Sequence, residues 1–149
     1  MSRVEVFLKR FVEAGGEVAE DLGALLEELK GLPVAVESSL KKRFPQLESV
    51  TPEEAEVSIT RASAAAADTG SLLFGYTDQE DFKLVSLPRI HVALLSRRRI
   101  YAGLGTALLK VKGSYVSIVT GPSKTGDIEL MHVFGVHGPE RVVVVLEGR

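Results

Sequence analysis

The residues most able to do chemistry are concentrated in one stretch, GPSKTGDIELMHVFGVHGP, from Gly121 to Pro139. Glycines at 121, 126, 135 and 138 stand among Ser123, Lys124, Thr125, Asp127, Glu129, His132 and His137. Hydroxyls at Ser123 and Thr125 flank the Lys124 ammonium. In a turn whose glycines let backbone N–H groups come close, such a trio suits a phosphate or a carboxylate. Asp127 and Glu129 could form a general acid/base pair if that piece is extended, since residues two apart then share a face. A plain cap on a helix or turn is the competing reading of Asp127. Lys124, Asp127, Glu129 and His137 are therefore the candidates for catalysis. Thr69, Gly70, Gly121, Ser123, Lys124, Thr125, Gly126, Asp127, His137 and Gly138 are the candidates for ligand binding.

Several neighbouring patterns fall short. A nucleotide-binding P-loop needs Lys-Ser/Thr directly after its last glycine, whereas Asp127 and Ile128 follow Gly126. Gly103 and Gly105 make only an isolated G-x-G. Ser38 to Lys41 fits S-x-x-K and Lys124 to Gly126 fits K-T-G, but the accompanying S-D-N element needs asparagine, which the chain lacks. His91, His132 and His137 match no metal-ligand spacing, so no metal is expected. Arg97, Arg98 and Arg99 could hold a phosphate, with a solvated loop as the default reading.

Composition narrows the function further. A net charge of −2 offers no global field for polyphosphates, so nucleic acid is not an expected partner and any anion site must be local. Without cysteine the chain cannot form disulfides, thiolate zinc sites or iron–sulfur ligation through its own cysteines; redox chemistry would need a partner or a soluble cofactor, and no cofactor is predicted. No apolar run reaches the roughly 20 residues of a membrane span, and no signal-peptide pattern opens the chain. A cytoplasmic location is expected. Absence of asparagine and cysteine beside abundant charge gives a thermophile-like composition.

The elements that must position these residues read as α/β. At 149 residues, 45% of them hydrophobic, one core and one domain are expected. Val4, Phe7, Leu8, Phe11 and Val12, then Val18, Leu22, Leu25, Leu26 and Leu29, form two helical stripes stopped by Gly15-Gly16 and by Gly31 and Pro33. They predict an N-terminal helical pair over 1–31, whose apolar faces pack on the core over 32–149 or could serve a homodimer. Short strands are predicted at Val34–Val36, Val57–Ile59, Ser71–Gly75 and Ile90–Leu95, with an extended piece around Leu84. Brief helices are predicted after Ser38 or Ser39 and after Thr51, across the alanine-rich Arg61–Asp68 and along Ile100–Val111. Tyr115–Val119 and Val142–Leu146 read as strands covered on both faces. The sum is a three-layer α/β/α sandwich with a mostly parallel sheet. Thr69-Gly70 and the loop after Val119 are expected to meet at the rim of that sheet, where ligands bind.

GPSKTGDIE (121–129), GVHGP (135–139), DTGSLLF (68–74) and SLPRIHVAL (86–94) together resemble the LUD domain family, found in lactate-utilisation proteins B and C. The resemblance covers about Val57 to Leu146; Gly126 stands where alanine is usual. It implies a fold similar to the sugar-phosphate isomerase and CoA-transferase superfamily. It also implies an accessory or ligand-binding role in oxidising lactate to pyruvate, beside iron–sulfur partner proteins. The ligand implied is a small anion, a carboxylate or phosphorylated metabolite. An enzyme of the isomerase, CoA-transferase or cyclo-ligase type, and a purely structural module for iron–sulfur partners, are the alternatives.

Overall fold

A computed structural model describes residues 1–122 and 138–148. Five strands form a wholly parallel sheet: β1 (Glu17–Ala19), β2 (Val34–Val36), β3 (Val57–Arg61), β6 (Ile90–Ser96) and β9 (Arg141–Glu147), in the order β1-β9-β6-β3-β2. The remaining four, β4 (Ala64–Ala66), β5 (Ser71–Tyr76), β7 (Ile100–Tyr101) and β8 (Tyr115–Val119), make a second sheet in the order β7-β4-β5-β8. In it β5 runs antiparallel to both β4 and β8, while β4 and β7 are parallel. Helices α1 (Arg3–Glu13), α2 (Leu22–Glu28), α3 (Gln79–Lys83) and α4 (Leu104–Leu109) complete the described elements.

Side-chain alternation along the parallel strands sorts the core into two layers. Val92, Leu94, Val143 and Val145 face one way, against Leu25 of α2, Leu29 just after it, Leu40 and Phe44. Ala93, Leu95, Val142 and Val144 face the other, against Phe7 and Phe11 of α1 and against Leu72 and Phe74 of the second sheet. Behind that sheet, Ala64, Ala66 and Leu73 pack on Ala107 of α4. The mostly parallel α/β architecture is thus the one the apolar periodicity predicts.

Both N-terminal helices form, but they are not packed as a pair. Ser2 and Glu5 close a capping box on α1, and Phe7 stacks on Phe11 one turn later with ring centroids 5.5 Å apart. Between the helices β1 adds to the edge of the parallel sheet beside β9, so α1 and α2 end on opposite faces. Val18, read as part of a helical stripe, lies in that strand.

Other local readings give way to tertiary packing. Ala64 to Ala66 form β4 instead of a helix: all three are fully buried, with Ala65 turned toward α1 and its neighbours toward α4, a thin space that favours small side chains. The Thr51–Glu54 capping interaction exists, Thr51 Oγ1 donating to Glu54 Oε1 at 2.7 Å, yet the chain makes only a turn before Val57 enters β3. Ser38–Arg43 is a 3-10 helix, and the piece around Leu84 is not extended but closes α3, which Asp78 caps. Ile100 belongs to β7, leaving α4 shorter than its stripe. β8 alternates exposed and half-buried residues, with Val116 44% and Ile118 46% exposed; it is not covered on both faces.

Candidate ligand-binding cleft

Of the residues singled out for chemistry, Ser123, Lys124, Thr125, Gly126, Asp127, Glu129, His132 and His137 lie outside the described residues. Thr69, Gly70, Gly121 and Gly138 lie within them. The two distant pieces of chain do meet. Thr69 Oγ1 is 2.7 Å from Ser71 Oγ, which is 2.7 Å from Thr120 Oγ1, a chain of hydroxyls tying the β4–β5 turn to the end of β8. Both glycines here have positive φ and touch backbone: a Cβ on Gly70 would sit 2.6 Å from Arg10 C and Phe11 N, and one on Gly121 would sit 2.3 Å from the Ala14 carbonyl oxygen. Gly138 is half-buried just before β9.

Their meeting place is not the rim expected. β8 belongs to the antiparallel side of the second sheet, so Gly121 does not follow a strand of the parallel sheet. The chain rejoins at the amino end of β9, where Glu140 N donates to Arg89 O just before β6. The carboxyl ends of the parallel strands lie elsewhere, and there the structure opens a cleft of about 1020 Å³. Glu37 follows β2, Arg61 ends β3 with Ala62 and Ser63 after it, and Ser96 ends β6 with Arg98 and Arg99 beyond; all line it. Tyr76 to Asp78 at the end of β5 and Lys110, Lys112 and Gly113 after α4 close the other wall, with Asp81 of α3. Ser71 and Tyr76 are the two ends of β5, so hydroxyl chain and cleft are separated by about 17 Å of strand.

At the floor of the cleft sits Glu37, 6% exposed. Its Oε1 accepts from the Tyr76 hydroxyl at 2.6 Å and from the Arg61 backbone N–H at 3.2 Å, and its Oε2 accepts from Ser39 Oγ. Burial and the neighbouring carboxylate push the Tyr76 phenol well above its ordinary range, so it remains a donor. Thr60 Oγ1 is 2.7 Å from Nε2 of the fully buried His91. With His91 Nε2–H donating to Thr60, the His91 Nδ1 lone pair is left without a partner among the described residues. His91 is thus a structural residue of β6.

Electrostatically the lining is lopsided. Arg61, Arg98, Arg99, Lys110 and Lys112 face three carboxylates, Glu37, Asp78 and Asp81. The carboxylates have protein donors: Glu37 as above, Asp78 from Glu80 N, and Asp81 from Ser38 N and Oγ, each at 3.0 Å. Arg99 donates to the carbonyls of Ser63 and Lys110. Among the described residues none of the five cations makes an ion pair. A cavity whose acids already have protein donors and whose cations have no ion-pair partner among the described residues is arranged for an anion. Arg98 and Arg99 of this wall belong to the arginine run, for which a solvated loop is the default reading of the sequence. Glu37 and Tyr76 carried no local signal, because only the packing of the second sheet against the parallel one brings them together. Among the described residues no cluster of three or more His, Asp or Glu could hold a metal ion.

Comparison with known proteins agrees with this architecture. A family model described as LUD domain matches residues 51–146. Lactate utilization protein C of Deinococcus radiodurans is 26% identical over 147 residues, covering 91% of this chain and 69% of that protein. The protein of the same name from Bacillus licheniformis is 28% identical, covering 65% of this chain and 45% of its own length. An uncharacterized protein of Neisseria meningitidis serogroup B is 30% identical over 90 residues, 56% of this chain and 39% of that one. The chain thus spans less than half of the latter two relatives. A crystal structure of a DUF162 family protein from Deinococcus radiodurans superposes with a TM-score of 0.71 over 99% of both chains at 18% identity, a likeness of fold. With helices on both faces of the parallel sheet and the family pattern running from the turn before β3 to the last strand, the chain belongs to the LUD domain family.

Proposed function

We propose that this chain is a ligand-binding component of lactate utilisation that holds a small anion, a carboxylate or phosphorylated metabolite, in the cleft beyond β2, β3 and β6. The observation that carries this reading is the state of the lining charges: hydrogen-bonded acids beside cations without ion pairs among the described residues. The names of the relatives support the pathway. Iron–sulfur proteins are the partners we propose, since a chain without cysteine cannot hold such a cluster through thiolates. A cytoplasmic site of action goes with them; among the described residues no helix is long and apolar enough to cross a membrane.

Thermal unfolding in lactate, pyruvate, phosphorylated metabolites and coenzyme A tests the reading. A ligand at 100 times its Kd adds about 2.7 kcal/mol of stability. A shift abolished in Arg98→Gln supports the cleft. A second reading, that the anion sits at the Gly121–Pro139 loop, is favoured by the hydroxyl chain that anchors Thr120 to Thr69; a shift kept in Arg98→Gln but lost in Lys124→Ala would select it. No shift with any compound would overturn both.

A further inference from the structure

Two of the cleft's cations are gathered over one ring. Arg99 Cζ and Lys110 Nζ lie 5.9 and 5.7 Å from the centroid of Tyr101 in β7, so the two charges are at most about 12 Å apart. Arg99 is half-buried and held from two sides, its Nε donating to the Ser63 carbonyl at 2.8 Å and its Nη2 to the Lys110 carbonyl at 3.2 Å. These bonds fix the guanidinium between the β3–β4 junction and the end of α4, and they leave Nη1 without an acceptor among the described residues. Ser63 adds a donor beside it: its Oγ accepts from Gly75 N at 3.1 Å, while its own O–H has no acceptor among the described residues. Like charges brought together repel, and the face of one ring offsets only part of that repulsion. A guanidinium drawn partly out of water without a carboxylate beside it is also uncommon. Over the whole lining, five cations meet three carboxylates, an excess of two positive charges.

We infer that Arg99, Lys110 and the Ser63 hydroxyl hold a doubly charged tetrahedral anion, the phosphate of a phosphate monoester. This deepens the anion-binding reading and rests on it, choosing between its two ligand classes. A carboxylate has its oxygens in one plane, where a single guanidinium edge engages both, and its one charge leaves the second cation uncompensated. A phosphate monoester carries about −1.5 to −2 at pH 7 and three acceptor oxygens, enough to meet the guanidinium, the ammonium and the hydroxyl together. Because carbonyls already fix Arg99, little of its freedom remains to be lost on binding. A cleft of about 1020 Å³ leaves room beside the phosphate for the organic body of the ester.

Calorimetry with phenyl phosphate, phenyl sulfate and benzoate at about pH 7.5 tests this, because the three share one body and differ in the head group: a tetrahedral dianion, a tetrahedral monoanion and a planar monoanion. Phenyl phosphate should bind about tenfold more tightly than either monoanion, and more tightly than inorganic phosphate. Lys110→Gln keeps the backbone carbonyl that holds Arg99 and should bring phenyl phosphate to within about threefold of benzoate. Arg99→Lys keeps the charge but not the planar fork and should weaken phenyl phosphate about fivefold. Phenyl sulfate, benzoate or inorganic phosphate binding as tightly as phenyl phosphate, or a phosphate preference unchanged in Lys110→Gln, overturns the monoester while leaving the anion site standing. No binding of any probe to the wild-type chain overturns both.

Discussion

Acid should destabilise this fold through one residue, His91. Its ring lies wholly between the two sheets, with Nε2 2.7 Å from Thr60 Oγ1 and the Phe74 ring 5.1 Å away. Burial pushes its pKa down from 6.5 to about 3. Between those two values the unfolded chain binds a proton that the folded chain does not, so stability rises with pH across the window and is fully present above 6.5. Each pH unit within it is worth about 1.4 kcal/mol, so a drop from about pH 7 to about pH 4.5 should cost about 2–3 kcal/mol through this side chain. Urea unfolding of the wild type and of His91→Gln at both pH values isolates the effect. Glutamine keeps an N–H donor for Thr60 but does not titrate. Exposed acids with lowered pKa, such as Glu17 beside Arg141 and Glu53 beside Lys83, act in both proteins and cancel. Equal loss of stability in the two proteins would refute the reasoning.

Three other outcomes follow from the packing. Gly70→Ala should destabilise by about 2 kcal/mol or more in denaturant titrations, since φ of +69° and backbone atoms 2.6 Å from the new Cβ leave no room to adjust. Tyr76→Phe should cost about 1–3 kcal/mol in the same assay, because the buried Glu37 loses its phenol donor. Arg141→Ala removes a bidentate pair with Glu17, both bonds at 2.9 Å, and a longer one to Glu28. Half-exposed as they are, these should be worth about 1 kcal/mol at most, and the difference in Tm from wild type should shrink in about 1 M salt.

What the sequence by itself determined was whatever periodicity and local chemistry encode. The stripe Phe7, Leu8, Phe11 required a helix, the alternating β-branched runs at Val57, Ile90 and Val142 required buried strands, and the glycines at 15 and 31 required the chain to turn. The motifs GPSKTGDIE, GVHGP, DTGSLLF and SLPRIHVAL together indicated the family. Tertiary structure alone decided the rest. Ala64 to Ala66 are good helix formers, and only the narrow space between α1 and α4 makes them a strand. Val18 reads as helical until the free edge of β9 recruits it. The cleft belongs to this second class: Glu37, Arg61 and Arg98 are far apart in the chain, and no spacing rule joins them. Strand order joins them, because placing β2, β3 and β6 side by side brings three separate loop starts to one edge.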